Sequence, residues 1–73
     1  MSKLYSARII LNALQRAGFE VINQRGSHIK LFKRQDDKSF TVIVPNHKEI
    51  DKGTLLEIIR QAGLTREEFL ALV

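Results

Sequence analysis

The sequence predicts an α+β fold in which three antiparallel strands form one sheet and helices cover one of its faces. Apolar residues recur at helical spacing in residues 6–18 and again in 51–63, whereas residues 19–45 are rich in β-branched and aromatic types. Short polar turns separate the strand-like runs, and such short connections join antiparallel neighbours. A chain of 73 residues buries one thin core, so we expect a single domain over residues 1–73.

The first helix is predicted between Ser6 and Gly18. The Ser6 side chain can accept hydrogen bonds from the amides of the first turn, and Gly18 can adopt the left-handed conformation that ends a helix. Ile10, Leu14 and Ala17 recur on one side of this helix, so we expect that side to face the core.

Three strands are predicted next, in residues 19–23, 28–33 and 40–45. Pro45 ends the third strand because proline cannot donate a hydrogen bond to the ladder. In the second strand, Ile29 and Leu31 point to one face. The opposite face receives His28, Lys30 and Phe32.

A second helix is predicted to begin at a cap on Asp51 and to end at Gly63. Its core-facing positions follow the i, i+3, i+4, i+7 pattern and are Leu55, Ile58, Ile59 and Ala62.

The chain closes with a short helix, for which two start signals coincide. Thr65 and Glu68 form a capping box, while Leu64 and Phe69 are spaced for a hydrophobic staple. The resulting order, α-β-β-β-α with a short C-terminal helix, is the order used by double-stranded-RNA-binding domains.

Composition and charge narrow the classes of function. The chain has no cysteine, which excludes disulfides and thiolate metal sites and fits a reducing compartment. No signal-peptide cleavage site and no run of about 20 apolar residues is present, so we expect a cytoplasmic protein without a membrane partner. Residues 1–34 carry seven basic residues and one acidic residue, and the remainder carries five and seven. This localised positive charge favours a nucleic acid or an acidic protein face as the partner, although ordinary solvent-exposed charges would give the same pattern.

His28 is the candidate catalytic residue. It follows a turn at Gly26 and stands beside Arg25 and Lys30 in the run NQRGSHIKLF. Metal-free RNA cleavage needs a base for the 2′-hydroxyl, a proton donor for the leaving 5′-oxygen and fixed positive charge at phosphorus. An imidazole can be either base or acid near neutrality, and an ordinary surface histidine is the alternative.

The other polar residues do not indicate a metal site or a second type of active site. His47 in VPNH is a possible auxiliary residue, but two histidines without an organised carboxylate or cysteine make a poor zinc set, so we expect no metal and no cofactor. Asp36 and Asp37 suit a turn, and Glu67 and Glu68 suit a helix N-terminus. Acyl transfer and nucleotide hydrolysis are excluded because no nucleophile elbow and no glycine-rich phosphate loop is present.

The runs AGF, RGSH, VPNH and GTLLEIIRQAGL, followed by EEF, resemble the HicA family, the toxin half of a bacterial toxin–antitoxin pair. The resemblance covers nearly the whole chain. It implies a small RNA-cleaving protein with a double-stranded-RNA-binding-like fold, whose activity depends on the histidine of the Gly-Ser-His motif, here His28. It also implies a HicB-type antitoxin that covers the active face, and growth arrest by cleavage of messenger RNA after release. The hairpin KRQDDKSF lacks the glycine that is common in the family.

Together, the resemblance and the residues give a candidate site. We expect His28 to be catalytic and RNA to be bound by Arg25, Ser27, Lys30 and Lys33, the last of these on the strand's other face. Three functions stay open: a metal-independent endoribonuclease toxin that is a monomer when free, an RNA-binding module without catalysis, and an interaction protein whose basic face docks an acidic partner.

Overall fold

The computed structural model describes residues 4–73, and their element order confirms the predicted α+β class. The elements are α1 (Ala7–Arg16), β1 (Glu20–Arg25), β2 (His28–Gln35), β3 (Lys38–Pro45), α2 (Lys52–Gln61) and α3 (Arg66–Leu70). Within residues 4–73, no helix has the length and apolar character that crossing a bilayer requires.

The strands form one antiparallel sheet in the order β1-β2-β3. β2 and β3 extend further into their hairpin than predicted, because Arg34 pairs with Ser39 and Gln35 pairs with Lys38. Only two residues remain for the turn, and Asp36 takes the left-handed conformation (φ 57°) that aspartate tolerates better than most side chains.

The core lies between the helices and the inner face of β2 and β3. Ile29 and Leu31 of β2 are buried with Val42 and Val44 of β3, whereas β1 is exposed along its whole length. The helices and loops contribute Ala7, Ile10, Ala13, Leu14, Phe19, Ile50, Ile58, Ile59, Ala62 and Phe69. The predicted core faces of α1 and α2 are therefore confirmed for most of their members.

Two residues predicted to face the core, Ala17 and Leu55, are only half-buried. Ala17 is the residue that caps the end of α1, so it lies at the rim of the helix–sheet contact. Leu55 lines an open groove between α2 and α3. Helical spacing predicts the side of a helix that faces the core, but not how far the neighbouring element extends over it.

All three helices begin at the predicted caps. Ser6 Oγ accepts from Ile9 N at 3.2 Å, and Thr65 forms the capping box with Glu68. Asp51 accepts from the hydroxyl and the backbone amide of Thr54, and these hydrogen bonds lower the pKa of the Asp51 carboxyl.

The end of α2 depends on a close contact with the sheet. Gly63 has a φ of 71°, and a Cβ at this position would lie 2.5 Å from Cε1 of Phe40. In the same region, Gln61 Oε1 accepts from Ile43 N at 3.1 Å, so a side chain of α2 satisfies a backbone amide on the outer edge of β3. α2 is therefore fixed against β3, on the side of the sheet away from the solvent-facing residues of β2.

We expect Ile59→Ala to lower the free energy of unfolding by about 2–5 kcal/mol, because the Ile59 side chain is 6% exposed and its loss leaves a cavity. Leu56→Ala on the same helix is the matched control, since Leu56 is 49% exposed and should change stability by no more than about 0.5 kcal/mol. Urea unfolding measures both. Equal losses for the two variants would show that the core-facing side of α2 is wrongly assigned.

Candidate active site on the open sheet face

The face of the sheet opposite the helices carries the outward side chains of all three strands, and we call it the open face. In the first half of β2 the burial alternates, because Ile29 and Leu31 are buried whereas His28 and Lys30 are exposed, and Phe32 is half-buried. Alternate side chains on a strand recur about every 6.8 Å on the same face. The residues that β2 presents on the open face are His28, Lys30, Phe32 and Arg34.

The register gives each of these side chains its neighbours on the open face. His28 lies between Arg25 on β1 and Pro45 on β3, and Lys30 lies between Asn23 and Ile43 in the same way. Further along β2, Phe32 lies between Glu20 and Thr41. Arg34 has one cross-strand neighbour in the register, Ser39 on β3. Arg25, Lys30 and Arg34 thus contribute three cations to these rows, against the single carboxylate of Glu20. The open face is therefore basic at both ends of β2.

The RGSH run forms the tight turn between β1 and β2. Gly26 adopts a φ of 59°, and Gly26 and Ser27 are the two residues between the paired Arg25 and His28. Directly opposite residues of an antiparallel pair have Cβ atoms about 4.5–5.5 Å apart. The turn thus sets the exposed His28 imidazole beside the exposed Arg25 guanidinium, as the sequence predicts.

The VPNH run is hydrogen-bonded to this turn. Asn46 N donates to Ser27 O at 2.6 Å, and His47 O accepts from Ala7 N, the first residue of α1, at 2.9 Å. His47 is exposed and follows Pro45, the cross-strand neighbour of His28, by two residues. The two histidine-containing runs therefore meet at one end of the sheet although they are far apart in sequence.

Lys33, one of the predicted RNA-binding residues, is separated from the others. Its side chain lies on the helix-bearing face, where Lys33 Nζ is 5.6 Å from the centroid of the Phe19 ring. The Lys33 stem also lies against Gly18, just past the end of α1. The structure brings together Arg25, Ser27, His28 and Lys30 and leaves Lys33 outside the open face.

The cations of the open face make no ion pair with the described acids. Within residues 4–73 the one salt bridge joins Arg60 and Glu57 on α2. It lowers the pKa of Glu57 and raises that of Arg60, chiefly through the hydrogen bond between their side chains. The charges of Arg25, Lys30 and Arg34 are therefore available to an anionic ligand.

Comparison with protein families identifies the chain. A family model described as the HicA toxin of bacterial toxin–antitoxin systems matches residues 7–64. The chain belongs to the HicA toxin family. A search of curated proteins finds no match. Membership confirms the resemblance seen in the sequence and makes this chain the toxin of a pair whose second member is an antitoxin.

Two residues of the open face in this HicA toxin were not among the predicted site residues. The sequence predicts that the second strand ends at Lys33, so Arg34 falls in a predicted turn, and Phe32 is predicted on the correct face but without a role. The signal for Arg34 was the Asp36–Asp37 pair, since a two-residue turn there extends the strand alternation to Gln35.

A groove of about 390 Å³ lies elsewhere on the HicA toxin, between α2, α3 and the segment before α1. It is lined largely by apolar residues such as Leu4, Leu56 and Leu70, and His28 is not among its lining residues. A small-molecule site is usually a concave pocket of this kind. The exposed position of His28 on a sheet face instead suits a polymer that lies across the surface.

We expect Gly26→Val to destabilise the protein by about 1–2 kcal/mol or more, because a β-branched residue is strained at a φ of 59°. Gly26→Asn is the matched control, since asparagine visits this conformation more readily and no atom lies within 4 Å of the added Cβ. Urea unfolding compares the two variants. Equal stability would show that the turn does not need its left-handed residue.

Proposed function

We propose that this chain is a metal-independent endoribonuclease that cleaves messenger RNA in the cytoplasm on the open face, with His28 as its catalytic residue. The observation that supports the proposal is the pairing of His28 with Arg25 at the end of a basic sheet face that none of the described helices covers. Membership of a toxin family supports the biological setting that we propose, in which RNA cleavage stops growth until an antitoxin binds.

The chemistry uses the substrate's own 2′-hydroxyl as nucleophile. The 2′-oxygen attacks phosphorus and the bond from phosphorus to the 5′-oxygen breaks, which leaves a 2′,3′-cyclic phosphate and a 5′-hydroxyl. One group must accept the 2′-proton and another must supply a proton to the 5′-oxygen. The His28 imidazole takes one of these roles, and His47, Ser27 or water is available for the other.

The neighbouring cations suit the charge that develops in this reaction. Two oxygens on the crowded phosphorus carry increasing negative charge, and fixed positive groups in place before the reaction stabilise it without reorganisation. Arg25, directly opposite His28, and Lys30, next along the open face, are the groups we assign to this role. Ser27, in the turn, can donate a hydrogen bond to a phosphate oxygen.

Metal independence is part of the proposal because His28, Arg25 and Lys30 can supply proton transfer and positive charge with their own side chains. A catalytic zinc site usually has three protein ligands. Within residues 4–73 no group of three His, Asp or Glu side chains converges on one point. Glu20, the first residue of β1, pairs with Phe32 and not with a histidine, and Glu49 lies outside the strands in the loop before α2.

An RNA-binding module without catalysis is the second candidate, and the charge of the open face is the observation that favours it. Arg25, Lys30 and Arg34 have no ion-pair partner among residues 4–73, so each can contact a phosphate of the RNA backbone. A third possibility, a basic face that serves only to dock an acidic protein, rests on the same charges. The alternatives differ in what His28 contributes, since binding by charge does not need an imidazole.

We expect His28→Ala to reduce RNA cleavage in the presence of a chelator by about 10²–10⁴-fold, which is the usual contribution of a positioned acid or base. The variant should fold normally, because His28 is exposed, and it should no longer arrest growth. His47→Ala is the control for a second imidazole at the same end of the sheet and should retain more activity than His28→Ala.

Cleavage of RNA by His28→Ala at the wild-type rate would show that His28 is not the catalytic residue. If wild-type protein binds RNA with a steep salt dependence but cuts none, the chain is a binding module. If it neither cuts RNA nor binds it with a salt dependence, its basic face serves a protein partner.

The antitoxin, which we propose to be of the HicB type, covers the same face. A partner that presents acidic and apolar groups would be attracted by the cations of the open face and then held by buried contacts. Ile43 and Pro45, which lie among the cations on this face, offer apolar surface for such contacts. RNA and antitoxin would thus compete for Arg25 and Lys30.

We expect Arg25→Glu and Lys30→Glu to slow association with the antitoxin and to weaken RNA binding together, because both ligands use the same cations. Lys52→Glu is the matched control, since Lys52 is an exposed lysine at the start of α2 on the helical side. Association rates at several salt concentrations and RNA affinities measure the two effects. A variant that lost RNA binding but kept the wild-type association rate would show that the antitoxin docks elsewhere.

A further inference from the structure

Phe32 is the one phenylalanine of the four that the core does not use. Phe19 and Phe69 are buried in the core cluster, and Phe40 packs against it from the rim. Phe32 is half-buried on the open face and belongs neither to the cluster nor to the apolar residues packed against it. Hydrophobic packing of the core therefore does not account for an aromatic residue at this position.

The Phe32 ring also lacks an aromatic partner within residues 4–73. The described aromatic contact joins Tyr5 and Phe69, and the described cation–π contact joins Lys33 and Phe19. The cross-strand neighbours of Phe32 on the open face are Glu20 and Thr41, neither of which is aromatic. The exposed part of the ring is thus available to a ligand.

The residues on either side of Phe32 indicate the chemistry of that ligand. Lys30 and Arg34 occupy the same face two positions before and two positions after it, each about 6.8 Å away along the strand. An aromatic ring between two cations is the pattern of a surface that binds a base by stacking and the adjoining phosphates by charge.

We propose that Phe32 is a base-stacking platform that, with Lys30 and Arg34, selects single-stranded RNA as the substrate of this toxin. The proposal rests on the proposed ribonuclease function. A base can stack on the ring only if it is free of its own neighbours, so bases in a duplex cannot use the platform. Because every base has a π-face, Phe32 selects strandedness and not base identity.

The stacked base is not the base at the cut. Phe32 lies four residues from His28 along β2, which is about 14 Å. The platform therefore binds a nucleotide beyond the scissile phosphate, and its contribution is to the affinity and alignment of the RNA strand. Its loss should raise KM for single-stranded RNA far more than it lowers kcat.

Binding in the His28→Ala background tests the platform separately from catalysis. Single-stranded RNA should bind more tightly than the same sequence in a perfect duplex, and adding Phe32→Leu should weaken only single-strand binding, by about 5- to 150-fold. Leu56→Ala is the matched control, since Leu56 is an exposed apolar residue on α2 and lies outside the open face. It should leave single-strand affinity within about twofold of the parent protein, because no stacking contact is lost.

A fluorescent variant gives a second readout that a structural role would not change. The chain has no tryptophan, so Phe32→Trp introduces a unique reporter. Its emission should be quenched by single-stranded RNA and not by duplex, with affinity at least equal to that of the parent protein.

If the emission of Phe32→Trp did not change at saturating single-stranded RNA, or if Phe32→Leu left single-strand affinity unaffected, Phe32 would not be a base-stacking platform. Equal binding of duplex and single strand would overturn the selection of substrate. Neither outcome depends on whether His28 cuts RNA. Absence of cleavage by the wild-type protein, with the binding results as expected, would overturn the ribonuclease function and leave the platform standing.

Discussion

The alternation of β2 between buried and exposed side chains is the constraint on which the rest of the structure depends. Ile29 and Leu31 are held beneath the helices, so the intervening residues must face the opposite side of the sheet. A slip of one residue would put His28 and Lys30 into the core and the apolar pair into water. Burial of the apolar side chains therefore fixes which side chains lie on the open face. The arrangement of the open face persists as long as the core stays packed.

The ends of the open face are set by backbone rather than by side chains. The left-handed residue Gly26 closes the turn that pairs Arg25 with His28, and the hydrogen bond from Asn46 N to Ser27 O joins that turn to the loop before α2. A flat surface of paired strands that the described helices leave open can be contacted by a polymer or by a protein inhibitor. The same flat surface offers few contacts to a small molecule, because small-molecule sites are usually concave and enclose most of the ligand.

Local signals predicted most of the fold, and long-range contacts account for what they missed. Helix caps at Ser6, Asp51 and Thr65 are local patterns, and the position of His28 follows from alternation. The extension of β2 to Gln35 also has a local signal, because Asp36 and Asp37 form a two-residue turn in which Asp36 adopts the left-handed conformation. The packing of Lys33 on Phe19 and the bond from Asn46 to Ser27 join segments distant in sequence, and no local pattern specifies them.

The central claim is that RNA lies across the open face. Chemical-shift mapping of the isotope-labelled protein with a 2′-O-methylated single-stranded RNA tests it most directly, because that ligand has no free 2′-hydroxyl and persists intact. We expect the largest amide shifts on the turn at Gly26 and along β2 from His28 to Arg34, with small shifts in α1 and α2. Shifts concentrated on the helices, with β2 unchanged, would contradict it.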